Sequence, residues 1–108
     1  MAAINYVQAS EFEALIAEKT LTVVDFTASW CGPCKLVAPL MEQLAKDYEG
    51  RITVVKVDID QDKSLAKQFE VRSIPAVLMF LGADRLATLV GVKPYPEFTA
   101  LVEQHLAS

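Results

Sequence analysis

Two stretches, residues 21–28 (LTVVDFTA) and 52–59 (ITVVKVDI), are mostly β-branched or apolar at successive positions, with Asp25 set into the first and Lys56 and Asp58 into the second. A strand with water on one side alternates in polarity. A strand that is apolar on both sides needs cover on both, as at the centre of a sheet with helices on either face. Between the two runs Val37, Leu40, Met41, Leu44, Ala45 and Tyr48 recur at helical spacing, and Gly50 stands where a C′ glycine would stop that helix. Pro39 removes one backbone donor from it and crowds the preceding turn, which predicts a kink. Strand, helix and strand in this order imply a parallel pair with a right-handed crossover.

The flanking segments extend this unit. Ser10 followed by Glu13 reads as a capping box opening a helix to about Glu18, with Phe12, Leu15 and Ile16 on its apolar face. Residues 61–69 read as a helix. Residues 76–81 and 85–90 read as strands separated by Gly82, Ala83 and Asp84, a hairpin signal that requires antiparallel pairing and makes the sheet mixed. Residues 96–107 carry Phe98, Leu101, Val102 and Leu106 on one helical face, with Pro96 suited to the first turn. A short edge strand at residues 5–7 completes the order βαβαβαββα. The expected fold is α/β, with a single mixed sheet of about five strands flanked by helices on both faces. A chain of 108 residues, 53% hydrophobic and 22% charged, suits one domain spanning residues 1–108.

Ten Lys and Arg against fourteen Asp and Glu leave a net charge of −4, with no basic stripe to follow a nucleic acid backbone. The longest nearly apolar stretch, residues 74–83, contains Pro75 and Gly82 and falls short of the roughly 18 residues a membrane span needs. Residues 1–6 lack the basic and then apolar pattern of a secretion signal, so the expected compartment is the cytoplasm, with reducing surroundings.

Chemistry concentrates at Trp30, Cys31, Gly32, Pro33 and Cys34, between the end of a buried strand and the start of a helix. The chain has two cysteines and one histidine, too few for a four-cysteine zinc site or a self-contained iron–sulfur cluster, and Lys35 stands where c-type haem attachment needs His. No metal site is expected. A purely structural disulfide across so short a loop contributes only ~2 kcal/mol in the chain-entropy model. A redox pair remains. Free backbone N–H groups and the helix dipole favour a Cys31 thiolate, which makes Cys31 the nucleophile. Cys34 follows on the next turn of the same face, close enough to bond Cys31 and shielded from solvent, and is the resolving thiol. Pro33 stiffens a helix start where its missing N–H costs little, while Gly32 lets a partner backbone approach.

These residues strongly resemble the thioredoxin family, whose active-site motif is WCGPC. The resemblance spans nearly the whole chain, including Asp25 in VVDFTASWCGPCK, Pro39, Lys56 in VVKVDID, Ile74-Pro75 and Gly91 in LVGV. It implies that Pro75 is cis and faces the disulfide. It also implies that Trp30, Ile59, Ile74, Pro75, Val90, Gly91 and Val92 form an apolar patch that docks partner proteins. The implied partners are disulfide-containing target proteins and a thioredoxin reductase, NADPH- or ferredoxin-linked. No cofactor is implied beyond the Cys31–Cys34 pair, and a monomer is expected. Departures from the family pattern include Gly82 one residue before the usual hairpin glycine, which leaves the turn type open, and Pro94 where a capping Ser is common. Leu81 and Leu89 stand where charged residues are usual and are expected to add apolar surface near the hairpin tip, either as a partner contact or, the commoner case, as scattered exposure.

Asp25, set among Val23, Val24 and Phe26 in a strand feeding the motif, is expected to be buried behind the disulfide as proton acceptor for Cys34, because buried unpaired Asp is rare and perturbed acids gather at active sites. Lys56 either snorkels out of its strand or pairs with Asp25. His105 sits well for the last helical carbonyls and takes no catalytic role. Asp58, Asp60 and Asp62 alternate like part of a calcium loop but lack its Gly and terminal Glu, and read as a strand end and a first helical turn. The reading is a protein disulfide reductase serving as a general electron donor. An isomerase or oxidant would gain from a residue such as His between the cysteines, and Gly32-Pro33 argues against it; a non-catalytic binding subunit would keep its cellular activity without either cysteine.

Overall fold

The computed structural model describes residues 4–107, so both ends of the expected span 1–108 lie outside the described residues. Elements follow in the order β1 (Asn5–Tyr6), α1 (Ala9–Ala17), β2 (Leu21–Thr27), α2 (Cys34–Asp47), β3 (Ile52–Asp58), α3 (Lys63–Gln68), β4 (Ala76–Leu81), β5 (Asp84–Val90) and α4 (Tyr95–Leu106). The strands form one mixed sheet in the order β1-β3-β2-β4-β5. β1 and β2 each run parallel to β3, and β4 runs antiparallel to both β2 and β5. β2 and β3 are therefore the flanked strands that their two-sided apolar patterns require.

Each face of the sheet carries its own core. On one, Phe12 of α1 and Leu65 of α3 pack with Val24, Phe26, Val57, Leu78 and Phe80. On the other, Val37, Met41 and Leu44 of α2 and Phe98 and Val102 of α4 pack with Val23, Val54, Val77 and Met79. Odd and even residues of β2 thus go to opposite cores, as strand geometry dictates.

Local chemistry shifts several boundaries. α1 starts at Ala9, with Gln8 as its N-cap, and Ser10 lies inside the helix. The Gln8 N–H donates to Glu11 Oε1 at 3.2 Å, so the acceptor that closes the first turn is Glu11 and not Glu13. The Ala9 N–H is capped from far along the chain, by Asp62 Oδ2 at 2.6 Å. α3 is shorter than its pattern because Asp58 Oδ1 takes the N–H groups of Asp60 and Gln61 in a turn, leaving Asp62 to cap Leu65. α2 runs through Pro39 and ends at Asp47, and Gly50, at φ +82°, lies beyond the C′ position in the turn to β3. The hairpin loop has two residues and not three. Only its first, Gly82 at φ +59°, has positive φ, the pattern of a type II′ turn.

Leu89 corrects the expectation of surface exposure. It is 8% exposed and belongs to the core beneath α2 and α4, opposite Val77 on β4. Leu81 is exposed as expected.

Candidate active site

β2 delivers the chain to the top of the sheet at Thr27, and α2 begins at Cys34. The connecting turn is closed by Cys31 N–H donating to the Ala28 carbonyl at 3.2 Å. Pro33 takes the N-cap position with φ −59°, already helical, where a missing N–H costs nothing. Cys31 and Cys34 are joined as a disulfide with their Cα atoms 5.4 Å apart. The Cys34 N–H points at Cys31 Sγ, 3.2 Å away. A helix-start amide directed at that sulfur favours negative charge on it.

Residue exposure does not separate the two cysteines, which are 4% and 3% exposed in the disulfide form. Their surroundings do. Ala28, Ile59 and Ile74 pack around the pair. Behind it opens a cleft of about 220 Å³ lined by Cys34, Asp25, Lys56, Asp58, Ser29 and Tyr6 among others, and Cys31 is absent from that lining. Asp25 is 1% exposed, and its Oδ1 is buried with no hydrogen-bond partner. Burial pushes its carboxyl up to about 6, against the opposing pull of the Lys56 charge. Lys56 lies directly opposite Asp25 in the β2–β3 register, yet its ammonium sits 4.5 Å from the centre of the Tyr6 ring. Both sequence alternatives for Lys56 are therefore half right: it faces Asp25 while its head turns elsewhere.

Of the apolar residues expected to meet a partner, Ile59 and Ile74 pack against the disulfide. The Ile74–Pro75 peptide is cis. Pro75 is buried, and its carbonyl accepts the Gly91 N–H at 2.8 Å, which ties the loop before β4 to the end of β5. Val90 and Val92 are exposed on either side of Gly91. Gly91 itself has φ +91°, a conformation that other residues adopt only with strain. Trp30 is 66% exposed, and its indole N–H donates to Asp60 Oδ2 at 2.6 Å. Asp60, Tyr6 and Asp58 are site residues that motif reading missed. A signal existed for Asp60: β2 and β3 are parallel, so residues just past their C-terminal ends share one edge of the sheet.

The family model described as Thioredoxin matches residues 3–104 of this sequence. The chain belongs to the thioredoxin family. A thioredoxin from Staphylococcus epidermidis is 39% identical over 104 residues, covering 96% of this chain and 99% of the relative. One from Staphylococcus saprophyticus is 42% identical over 86 residues, covering 80% and 83%. The solved structure of Malassezia sympodialis thioredoxin superimposes with a TM-score of 0.86 at 25% identity, covering 95% of this chain and 94% of that one. The mixed five-stranded sheet with four helices is the thioredoxin fold. With the Cys31–Cys34 pair in bonding contact, the chain is a protein disulfide oxidoreductase working by thiol–disulfide exchange, with disulfide-containing targets and a reductase as its general partners. No helix among the described residues is long and apolar enough to cross a membrane.

Proposed function

We propose that Cys31 is the attacking thiolate and Cys34 the resolving thiol of a general cytoplasmic disulfide reductase, a single-domain monomer needing no cofactor beyond this pair. The observation that carries the assignment is the asymmetry of the two sulfurs: Cys31 Sγ accepts the helix-start N–H, while Cys34 borders the Asp25 cleft. In the reduced protein the Cys31 thiolate attacks one sulfur of a target disulfide, whose other sulfur leaves as a thiolate. A mixed disulfide results. Asp25, ionised above a pKa of about 6, takes the Cys34 proton directly or through a water. The Cys34 thiolate then attacks Cys31 Sγ and expels the second target thiolate. Two electrons have passed to the target, and a reductase returns the pair to the dithiol.

Trp30, Ile59, Ile74, Val90, Gly91 and Val92, with backbone at Pro75, form the docking surface, on which an extended target segment pairs beside the disulfide. The same surface serves the reductase, and turnover with NADPH-linked and ferredoxin-linked enzymes distinguishes which kind reduces it. Cys34→Ser should accumulate covalent mixed disulfides with target proteins that a dithiol reductant releases, and Cys31→Ser should accumulate none. Trapping by Cys31→Ser alone would reverse the assignment.

A further inference from the structure

Tyr6, Lys56 and Asp25 occupy one row across three adjacent strands. Tyr6 is the register partner of Lys56 on one side, and Asp25 is its partner on the other. Because β3 lies between β1 and β2, the ring and the carboxylate compete for the Lys56 ammonium from opposite directions. The ring holds it: Nζ lies 4.5 Å from the Tyr6 centroid, while Asp25 Oδ1 has no hydrogen-bond partner. All three side chains line the cleft that Cys34 borders.

We propose that Tyr6 is a positioning residue for proton transfer, drawing the Lys56 ammonium toward the outer edge of the sheet and keeping it from closing an ion pair on Asp25. The proposal rests on the reading of Asp25 as proton acceptor for Cys34. A carboxylate clamped by an ammonium is a weaker base, and its oxygen would be occupied when Cys34 needs it. Tyr6 thus preserves the unpartnered Oδ1 of a carboxyl that burial raises and the Lys56 charge lowers.

The other charged side chains lining this cleft are Lys35 and Asp58. Cys34 and Lys35 come from α2, and Lys35 is exposed. Asp58, next along that face of β3, turns its Oδ1 to the backbone of Asp60 and Gln61. On the β4 side the register neighbour of Asp25 is Val77, which cannot titrate. Tyr6 is 58% exposed, so changing it disturbs no core packing.

The test follows the Asp25 carboxyl carbon by NMR across pH in the full-length reduced protein, alongside the pH profile of mixed-disulfide resolution. Tyr6→Leu, which keeps apolar bulk and removes the π face, should lower the Asp25 pKa, weakening its proton affinity roughly two- to fivefold. Tyr6→Phe should restore the parent titration, and in a Lys56→Met background Tyr6→Leu should change nothing. An unchanged or raised Asp25 titration in Tyr6→Leu, or a shift that survives Lys56→Met, overturns the role of Tyr6. If the titration moves as expected while the resolution profile stays fixed, Tyr6 does hold Lys56 off the carboxyl and the failure belongs to the proton-acceptor reading of Asp25.

Discussion

The two faces of β2 put the same strand to opposite uses. Toward α1 and α3 it presents Val24 and Phe26 to a core closed by Phe12, Phe69 and Phe80, whose ring centres lie 5.1 to 5.7 Å apart in tilted and edge-on contacts. Toward α2 and α4 it presents Val23 and then Asp25, a buried carboxylate with an unpartnered oxygen. The first face gains stability from everything it buries. The second gives some back by burying a carboxylate in the cleft that Cys34 borders. Carboxylates show the same division: Asp62, at the start of α3, is engaged by the Ser64 hydroxyl and by the N–H groups of Ala9 and Leu65, which hold its pKa below the usual carboxylate range despite partial burial. One side of the sheet pairs its charge and the other withholds a partner.

The largest effect should come from opening the aromatic face. Phe12 is 1% exposed and touches both other rings, so Phe12→Ala should cost about 3–5 kcal/mol of unfolding free energy. Its rate of mixed-disulfide resolution should stay near that of the parent, because the lesion lies on the far side of the sheet from Cys34. A tenfold slower resolution in a folded sample would mean that the two faces are not separable.

Asp25→Asn should act the other way. The unfolded side chain releases its proton near 3.8 and the folded one near 6, so between those values the unfolded state binds fewer protons and stability falls as pH rises. Above the folded pKa the penalty is constant, on the order of 3 kcal/mol from a shift of this size. Asn removes it. The oxidised variant should be more stable than the parent at pH 7, by up to that amount, with the advantage fading toward pH 4, while resolution slows roughly a hundredfold. Denaturant titrations at both pH values and single-turnover reduction of a model disulfide measure the two halves. A less stable variant, or one resolving at the parent rate, would make Asp25 an ordinary structural carboxylate.

Much of this division is legible in the sequence, and the exceptions have physical causes. Asp25 stands out because it is the only charge in a run that is otherwise apolar on both faces. The redox motif is legible because a strand pattern ends just before it and a helical one begins at it. Leu89 escapes because its exposure is expected from the charged residues usual at that family position, whereas the β4–β5 register sets it opposite Val77 in the core beneath α2 and α4. The α1 cap escapes because Asp62 and Ala9 are 53 residues apart, beyond any local signature. Tyr6 escapes because its importance lies in register across β1, β3 and β2, which only the assembled sheet defines.

The smallest expected effect sharpens the contrast most, because it reverses the sign of the pH dependence. Asp62 joins the starts of two helices, with Oδ2 on the Ala9 N–H at 2.6 Å and Oδ1 on Leu65 N–H at 3.3 Å. Asp62→Ala should therefore cost about 1–2 kcal/mol at pH 7, the range of a lost N-terminal cap. The folded pKa of Asp62 is depressed, so its contribution is complete above the unfolded value near 3.8 and is lost as pH falls below it. That window lies beneath the one in which Asp25 titrates. Asp62→Asn separates charge from capping: it keeps an acceptor for the helix N–H groups and should lose less stability at pH 7 than Ala, yet show a flatter acid limb than the parent. Urea titrations from pH 7 to pH 3 resolve the two carboxylates, with stability rising between pH 6 and pH 4 only where Asp25 is present and falling further below only where Asp62 is. An Asp62→Asn protein whose acid limb matches the parent would show that the turn uses Asp62 as a neutral cap, and the pairing of charge on that side of the sheet would lose its best example.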